Sequence, residues 1–345
     1  MFNTLKKSSL TLLIASTALF QFGCGSDSDP DLVGNWYKKD VPSFGGIPRY
    51  GSVSFVINNK GYIGTGYTRE SVPRVKDFWS YDADGKIWSQ VAEFAGAARN
   101  DATAFVAGGK AYVGTGYDGV LTVDNGYKKD FWQYDPATNK WKAVADLPGV
   151  PRQYASALSI ADKGYVGLGY NSSGVYQDFY EYNPTSDTWT EVATFIGGKR
   201  RSATAFTIGT TGYVGFGVNN GAATVRDLYQ FIPGGTSGKG SWTQKTVFND
   251  DNGDFPGARS DAFSLIINEK AYIVGGAGSL SDCWEWNPST DIWVQKTNFE
   301  GSGRGYAAGF VIKNVGYFGT GLAGSTPVDD FWGFNPDAAV DDDDN

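Results

Sequence analysis

Arginine and aspartate recur through the chain in surroundings that hardly change, which makes them the first candidates for chemistry. A tyrosine follows each arginine by thirteen residues, and aromatic residues follow each aspartate, as in DFWQYD. The arginines are Arg49, Arg99, Arg152, Arg200, Arg259 and Arg304. The aspartates are Asp77, Asp130, Asp178, Asp227, Asp282 and Asp330. Because clustered guanidinium groups need counterions, we predict one bidentate arginine–aspartate pair per repeat.

Cysteine and histidine, the residues of most nucleophilic and metal sites, are nearly absent. The chain has no histidine and only two cysteines, Cys24 and Cys283. Cys283 takes the place that Phe131 holds in the DFW segment, so we expect a buried structural thiol. A lone thiol also has no imidazole base to activate it. The sequence therefore predicts no cofactor and no metal site.

One acidic segment, NDDNGDFPGARSD at 249–261, has partial calcium-loop spacing. Asp250, Asn252, Asp254 and Asp261 fall at positions 1, 3, 5 and 12, but Phe255 stands where an EF-hand loop needs glycine. We interpret the segment as a longer connection between repeats.

The whole chain is built from one repeated unit. The six arginines are 50, 53, 48, 59 and 45 residues apart. A tryptophan closes five units, at Trp88, Trp141, Trp189, Trp242 and Trp293. The sixth unit lacks one, whereas Trp36 precedes Arg49 by thirteen residues. We therefore predict that an N-terminal strand carrying Trp36 completes the last unit and closes a ring, which removes exposed sheet edges.

Each unit has the pattern of four short strands, as in GSVSFVI, KGYIGTG, KDFWSYD and KIWSQVA. Four strands in about 50 residues is the kelch period. Over residues 31–337 the chain resembles the kelch β-propellers. The resemblance implies an all-β fold of six four-stranded blades around one axis.

The resemblance also bears on function. In several kelch proteins the arginine at this position faces the binding pocket, so a central arginine ring that binds an anion is a second expectation. The copper site of galactose oxidase requires histidine, which this chain lacks. Similarity to the sialic acid mutarotase leaves an enzyme acting on an acidic sugar as the alternative function. Its nearest acid would be Glu70, while Asp118 and Asp124 could pair for acid–base work.

A site for one ligand must break the sixfold symmetry, and the loops after the GTG element do so in units 1 to 4. These loops carry arginine, tyrosine and acidic side chains, whereas those of units 5 and 6 are short and nearly uncharged. The candidate ligand-binding residues are Arg69, Glu70, Arg74, Tyr117, Tyr127, Tyr170, Tyr176 and Arg226. Loops on a rigid scaffold are frequent binding sites.

Both ends of the chain have separate signals. Residues 1–23 have a basic start and a short apolar run, typical of a signal peptide, and Gly23 precedes Cys24 as in bacterial lipoproteins. We predict lipidation of Cys24, an acidic Ser/Asp tether over 24–30, and an outer-membrane, surface-exposed location. Residues 338–345 are predicted to be a disordered acidic tail.

The composition excludes one class of partner. A net charge of -8 and a pI near 4.7 argue against a nucleic-acid-binding face. We expect a monomeric, non-catalytic binding module that touches the membrane only through its anchor. It would bind a protein or a glycan through the loop face of blades 1–4.

Overall fold

The structure, a computed structural model, describes residues 32–121, 123–236, 238–245 and 255–344, nearly all of them in strands and turns. The first strand is β1 (Asn35–Tyr37). Blade 1 comprises β2 (Val53–Ile57), β3 (Lys60–Gly64), β4 (Phe78–Asp82) and β5 (Ile87–Val91). Blade 2 comprises β6 (Thr103–Ala107), β7 (Lys110–Gly114), β8 (Phe131–Asp135) and β9 (Lys140–Val144), with a 3-10 turn at Val123–Gly126.

Blades 3 and 4 add short hairpin strands to the same plan. Blade 3 comprises β10 (Ser156–Ile160), β11 (Lys163–Gly167), the hairpin β12 (Tyr170–Asn171) and β13 (Gly174–Val175), β14 (Phe179–Asn183) and β15 (Thr188–Glu191). Blade 4 comprises β16 (Arg200–Arg201), β17 (Thr204–Ile208), β18 (Thr211–Gly215), β19 (Val218–Asn219), β20 (Leu228–Ile232) and β21 (Ser241–Gln244).

The last two blades complete the ring. Blade 5 comprises β22 (Phe263–Ile267), β23 (Lys270–Val274), β24 (Cys283–Asn287) and β25 (Ile292–Lys296). Blade 6 comprises β26 (Ala308–Ile312), β27 (Val315–Gly319), the hairpin β28 (Leu322–Ala323) and β29 (Thr326–Pro327), and β30 (Phe331–Asn335). A second 3-10 turn covers Asp342–Asp344. The fold is a six-bladed β-propeller, as predicted.

Each blade is an antiparallel sheet whose first strand lies nearest the axis and whose fourth lies outermost. The innermost strands alternate between buried and half-buried residues, as in VSFVI of β2, because one face packs on a neighbouring blade and the other borders the central channel. Alanine, serine and threonine line much of that channel. Small side chains let six strands approach one axis without filling it.

The closing strand is where the tryptophan spacing predicts it. Strand β1 pairs with β30 and becomes the fourth strand of blade 6, with Trp36 opposite Phe334. Trp36 is fully buried, and its ring stacks on Phe334 at 4.3 Å between centroids. Its indole nitrogen donates to the Thr297 carbonyl of blade 5. The prediction of a closed ring is confirmed.

Aromatic side chains hold neighbouring blades together. The closing tryptophan of one blade packs on the phenylalanine of the DF segment in the preceding blade, as Trp141 does on Phe78 at 5.0 Å and Trp189 on Phe131 at 5.1 Å. The Trp141 indole also donates to Ala92 of the preceding connection. Each fully buried ring stabilises the fold by roughly 1.5–3 kcal/mol. Cys283, fully buried at the same position in blade 5, serves the same packing role.

A ring of backbone hydrogen bonds adds to this packing. The second glycine of each glycine-X-glycine element donates to the carbonyl of the repeated arginine in the next blade, as Gly66 does to Arg99 at 2.8 Å and Gly321 to Arg49 at 2.8 Å. Gly66 has a φ of 109°, and a Cβ there would lie 2.6 Å from the Ser52 hydroxyl. Glycine is needed because the backbones approach so closely.

The C-terminal segment makes hydrogen bonds to the segment around the first strand. The Ala338 carbonyl accepts from the Gly34 amide, and the Asp344 carboxylate accepts from the Asn35 side chain at 2.8 Å. The chain continues beyond β30 alongside β1, so these polar groups find partners there rather than only in water.

The described residues include no helix long and apolar enough to cross a membrane. The predicted signal peptide (1–23), the lipidated Cys24 and the tether (24–30) lie outside the described residues.

Candidate functional site

The predicted arginine–aspartate pairs form, one in each of the six blades. Each guanidinium donates through both terminal nitrogens to the two carboxylate oxygens of its aspartate, at 2.5–2.9 Å. The same guanidinium donates to the backbone carbonyl sixteen residues on, such as Thr65 for Arg49. Such fork-to-fork geometry gives the strongest ion-pair hydrogen bonds.

Burial decides what these pairs can do. The six arginine side chains are only 0–2% exposed. Burial alone would raise the pKa of Asp77, but the hydrogen bond and the charge of Arg49 outweigh it, and the pKa is lowered. These arginines are out of contact with solvent and each is already paired with a carboxylate, so the geometry favours the structural role over the expected anion site at the channel mouth.

The axis is occupied instead by the residue two positions after each arginine. These six residues, which we call the inner ring, are Gly51, Asp101, Tyr154, Ser202, Asp261 and Tyr306. Their backbones form a closed cycle in which each amide donates to the carbonyl of the inner-ring residue in the preceding blade, at 2.9–3.3 Å. The cycle ties all six blades to one another at the centre.

All six inner-ring residues have a left-handed backbone. Their φ angles lie between 53° and 62°, which is comfortable for Gly51 and unfavourable for a tyrosine such as Tyr154 or Tyr306. Such conformations persist where the surroundings enforce them, and they concentrate at functional sites. Here the hydrogen-bonded cycle enforces them.

The inner ring lines a cavity of about 140 Å³ at the axis. In chain order its residues read Gly-Asp-Tyr and then Ser-Asp-Tyr, so that Asp101 and Asp261 come from blades on opposite sides of the ring. We call this cavity the acid cup. A ring of six similar units thus contains a site with approximate twofold character.

Hydrogen bonds orient both acids of the cup. Asp101 accepts from the Asn100 amide at 2.5 Å and from the Tyr154 hydroxyl. Asp261 accepts from Ser202, Ser260 and Tyr306. No lysine or arginine nitrogen of the described residues comes within 4.0 Å of either carboxylate. The acids are held by neutral donors alone.

This environment changes their titration. Burial, followed by the charge of Asp261, raises the pKa of Asp101 to about 7. Burial likewise raises the pKa of Asp261 to about 6, against the opposing effect of the hydroxyl donors. The cup therefore gains and loses protons near neutral pH, as the catalytic or binding acids of many proteins do.

An arc of aromatic rings and guanidinium groups in contact with one another borders the cup over blades 1 to 4. It runs from Tyr50 to Tyr67, whose tilted rings are 5.3 Å apart between centroids, and then through Arg74, which lies 5.2 Å from the Tyr67 ring and 4.8 Å from the Tyr117 ring. It continues from Tyr117 to Tyr127 at 5.1 Å.

The arc ends in blade 4. Tyr127 contacts Tyr170 at 6.1 Å, and Arg201 lies 5.2 Å from the Tyr170 ring. At the other end Tyr50 contacts Tyr306 of the inner ring at 5.9 Å. We call this set the tyrosine–arginine rim. Blades 5 and 6 place Ala277 and Leu322 at the corresponding positions after the glycine pair, so the rim is one-sided.

The candidate residues from the loops divide into two groups. Arg74, Tyr117, Tyr127 and Tyr170 belong to the rim, as described above. The other candidates are Arg69, Glu70, Tyr176 and Arg226.

Each residue of the second group has a different setting. Arg69 and Glu70 are exposed, and Arg69 donates to the Ser325 carbonyl. Tyr176 lies under the Arg152 guanidinium at 4.7 Å and donates to Asn171. Arg226 is half-buried immediately before Asp227. Among the carboxylates suggested for acid–base work, Asp118 pairs with Lys128 at 2.6 Å and Asp124 is exposed.

The acids of the cup were missed as a pair, although the sequence carries a signal for them. Aligning the repeats on the arginine places Gly, Asp, Tyr, Ser, Asp and Tyr at the second following position. The predicted site uses only the departures from the repeat that lie in the loops after the GTG element. Asp261 was considered only as part of a calcium loop, but in the structure it lines the cup, while Asp250, Asn252 and Asp254 lie outside the described residues.

The part of the chain that the structure describes has no cluster of three or more histidine, cysteine or acidic residues suited to a metal ion. Burial and the neighbouring Asp282 charge raise the pKa of the Cys283 thiol far above its usual value, so this cysteine is chemically inert.

Comparison with known proteins agrees with this architecture. The family model of the kelch motif matches residues 98–148, a segment that contains all four strands of blade 2. The chain carries a kelch motif on a six-bladed propeller. The solved structure of YjhT is similar to this chain, with a TM-score of 0.69 and 17% sequence identity, over 85% of this chain and 96% of YjhT. No curated protein matches the sequence significantly.

The structural similarity concerns the fold alone at this level of identity. In all, 569 chains of solved structures match the kelch propeller, and one fold of this kind supports many unrelated functions. The function must therefore be argued from the acid cup and the rim.

Proposed function

We propose that this protein is a non-catalytic glycan-binding module of the cell envelope, and that the acid cup with the tyrosine–arginine rim is its binding site. The observation that carries the proposal is the juxtaposition of a concave polar cavity with a one-sided arc of aromatic rings. Ligand sites combine apolar walls with a few convergent polar groups in this way.

The chemistry of the two parts suits a sugar. A pyranose ring has C–H groups on its faces and hydroxyls on its edges. The faces can pack on half-buried rings such as Tyr117 and Tyr127, which lie 5.1 Å apart, while the hydroxyls can donate to Asp101 or Asp261. A protein partner would use a broad and flat surface, so the concavity favours the glycan among the two partners that the sequence suggested.

The binding assay uses the full chain on immobilised neutral and charged oligosaccharides. Retention of one glycan class, lost on Tyr117→Ala, is the expected result. The matched control is Tyr229→Ala, which removes a half-buried ring that packs on Phe195 between blades, away from the rim. If no glycan is retained while an envelope protein is captured in a Tyr117-dependent way, the protein-binding alternative replaces this proposal.

A second candidate is a carbohydrate-active enzyme of the mutarotase type. The observation in its favour is that two acids of one cavity have pKa values raised to about 7 and about 6, which suits proton transfer near neutral pH. The negative charge of an ionised cup disfavours the acidic sugar that the resemblance suggested. The test is the rate at which each sugar retained by the protein interconverts its anomers, with Asp101→Asn as the inactive variant.

The location rests on the N-terminal sequence. We place the protein on the outer membrane, held by lipid on Cys24, with the propeller exposed at the surface and acting as a monomer. Fractionation tests this directly, since Cys24→Ser should move the protein from the membrane to the soluble fraction. Loss of the wild-type propeller on protease treatment of intact cells would support surface exposure.

A further inference from the structure

Asp101 and Asp261 are set apart from the aspartates of the blades by what surrounds them. Each of the six blade aspartates forms an ion pair with a buried guanidinium, as Asp77 does with Arg49 at 2.6 Å between nitrogen and oxygen. Asp101 and Asp261 have only neutral donors in contact. Asp101 is nevertheless buried, at 7% exposure, although ionisable residues are rarely so buried without an oppositely charged partner.

Such an arrangement leaves negative charge without compensation when the acids ionise. Desolvating a carboxylate is costly unless a cation offsets it. The cost is visible in the pKa values of both acids, which burial raises above the usual 3.8. A cation in the cup would lower that cost by its attraction to the ionised carboxylates. A positively charged ligand should therefore bind more tightly than a neutral one of the same shape.

The charges around the cup orient such a ligand. Arg74 acts on Asp101, and Arg201 on Asp261, through longer-range electrostatics only. Both guanidinium groups are engaged elsewhere, because Arg74 donates to the Asn100 side chain at 2.6 Å and stacks on tyrosines, and Arg201 stacks on Tyr170. The floor of the site is therefore negative and its rim is positive.

We propose that the acid cup binds a protonated amine and that the glycan recognised by this protein is an amino sugar with a free amino group. The inference rests on the proposed glycan-binding function and specifies its ligand. The ammonium group would donate to Asp101 and Asp261 at the axis, and the sugar faces would pack along the one-sided rim.

The structure also predicts how pH acts on this binding. The titratable or charged groups facing the two acids are Tyr50, Arg74, Tyr154, Arg201 and Tyr306. Burial raises the pKa values of Tyr50, Tyr154 and Tyr306 above the usual 10.0, so these phenols stay neutral near pH 7. Affinity for a simple alkylammonium should therefore rise from pH 5 to pH 7.5 as Asp101 and Asp261 ionise. Affinity for a 2-amino sugar should instead pass through a maximum in that range, because its ammonium group itself loses its proton near neutral pH.

The experiment is a calorimetric comparison of three trisaccharides that share one backbone, with the full chain at pH 6.5, where the amino groups of a glucosamine oligomer still carry protons. The probes are the β-1,4 trimers of glucosamine, N-acetylglucosamine and glucose, which place an ammonium, an acetamide or a hydroxyl at the same carbon. We expect the glucosamine trimer to bind at least about tenfold more tightly than the other two, which is the scale of one added charge interaction. We also expect that advantage to shrink at pH 5.

Variants assign the effect to the cup. Asp101→Asn combined with Asp261→Asn should remove the preference for the amine while preserving the shape of both side chains. Asp84→Asn is the matched control, because it removes one negative charge from an exposed turn of blade 1, where Asp84 pairs with Lys313 at 2.7 Å. This control should leave the preference unchanged.

The outcomes separate the inference from the function beneath it. Equal or tighter binding of the glucose or acetylated trimer overturns the amine inference and leaves the glycan function standing. If no trimer binds, the glycan function fails for this class, and ethylammonium then tests the cup alone. A rise in Tm with ethylammonium that disappears in the double variant supports an amine site, and its absence removes the inference.

Discussion

The aspartates of the blades and the aspartates of the inner ring are the same chemical group placed in two different settings. Asp77 meets a fully buried guanidinium at 2.6 Å, and its pKa is lowered. Asp101 meets an amide and a phenol, and its pKa is raised to about 7. The first set is repeated six times, whereas the second occurs in two of the six blades.

The difference separates architecture from function in this molecule. A charge that is neutralised inside its own blade can be repeated around the ring without electrostatic cost. A carboxylate left without a cation costs stability at neutral pH, and proteins retain such residues mostly at functional sites. The aspartates that recur in every blade are thus the ones paired with an arginine, whereas the two that occur in only two blades have no cation in contact.

The largest effect should come from breaking one blade pair. Arg49→Ala removes a guanidinium that makes two hydrogen bonds to Asp77 and leaves that carboxylate without its partner. We expect the free energy of unfolding to fall by about 3–5 kcal/mol, as for other broken buried pairs. Urea denaturation measures it, with Arg69→Ala as the control that removes an exposed arginine. A loss no larger than that of the control would show that the pairs are not structural.

Substitution of Asp101 in the inner ring should instead raise the free energy of unfolding. The folded chain holds a proton on Asp101 up to a pKa of about 7, whereas the unfolded chain releases it near 3.8. The contribution of Asp101 to the free energy of unfolding is therefore fully present below the unfolded pKa and is lost progressively as the pH rises through the folded pKa. Asp101→Asn should raise the free energy of unfolding by roughly 4 kcal/mol at pH 8, and by less than half as much at pH 5, where only part of that stability has been lost.

The matched variant for this test is Asp77→Asn. Because the pKa of Asp77 is lowered in the folded chain, its contribution is present above its unfolded pKa and is lost only at acidic pH. This substitution should destabilise the protein at pH 8 and less so as the pH falls toward 3. Denaturation curves for both variants at several pH values decide the matter. If both substitutions changed the free energy of unfolding in the same direction at pH 8, the two sets of aspartates would not differ in the way proposed.

The smallest effect should come from the phenol beside Asp101. Tyr154→Phe keeps the ring, which lies 6.4 Å from Tyr306, and removes the hydroxyl that donates to Asp101. We expect a loss of about 1 kcal/mol at pH 8, because that hydroxyl stabilises the ionised carboxylate. The pKa of Asp101, followed by carboxyl NMR, should rise further. An unchanged titration would mean that the hydrogen bond does not tune the acid.

Sequence reasoning was most successful where a feature repeats. The arginine-to-tyrosine spacing, the closing tryptophans and the displaced Trp36 predicted six blades and the closure of the ring. The arginine–aspartate pairing followed from charge balance alone. These predictions depend on interactions inside one unit or between neighbours of one kind, and each copy of the unit tests them again.

The acid cup could not be predicted with the same ease. Asp101 and Asp261 are 160 residues apart in the chain, and only closure of the ring brings them to one cavity. The rim is a similar case, since Arg74 meets Tyr117 only because neighbouring blades place their loops side by side. Loop composition identified four residues of the rim but not the contacts between them.

The sequence by itself therefore determined the unit, the number of copies and the way the ring closes, because these follow from local periodicity and from the need to bury aromatic area. Only the tertiary structure decided which side chains face solvent at the axis. The repeated arginines turned inward to their aspartates, while the residues two positions later lined the cavity. The physical reason is that a closed ring brings together residues from distant repeats, and their burial and charge depend on all six neighbours at once.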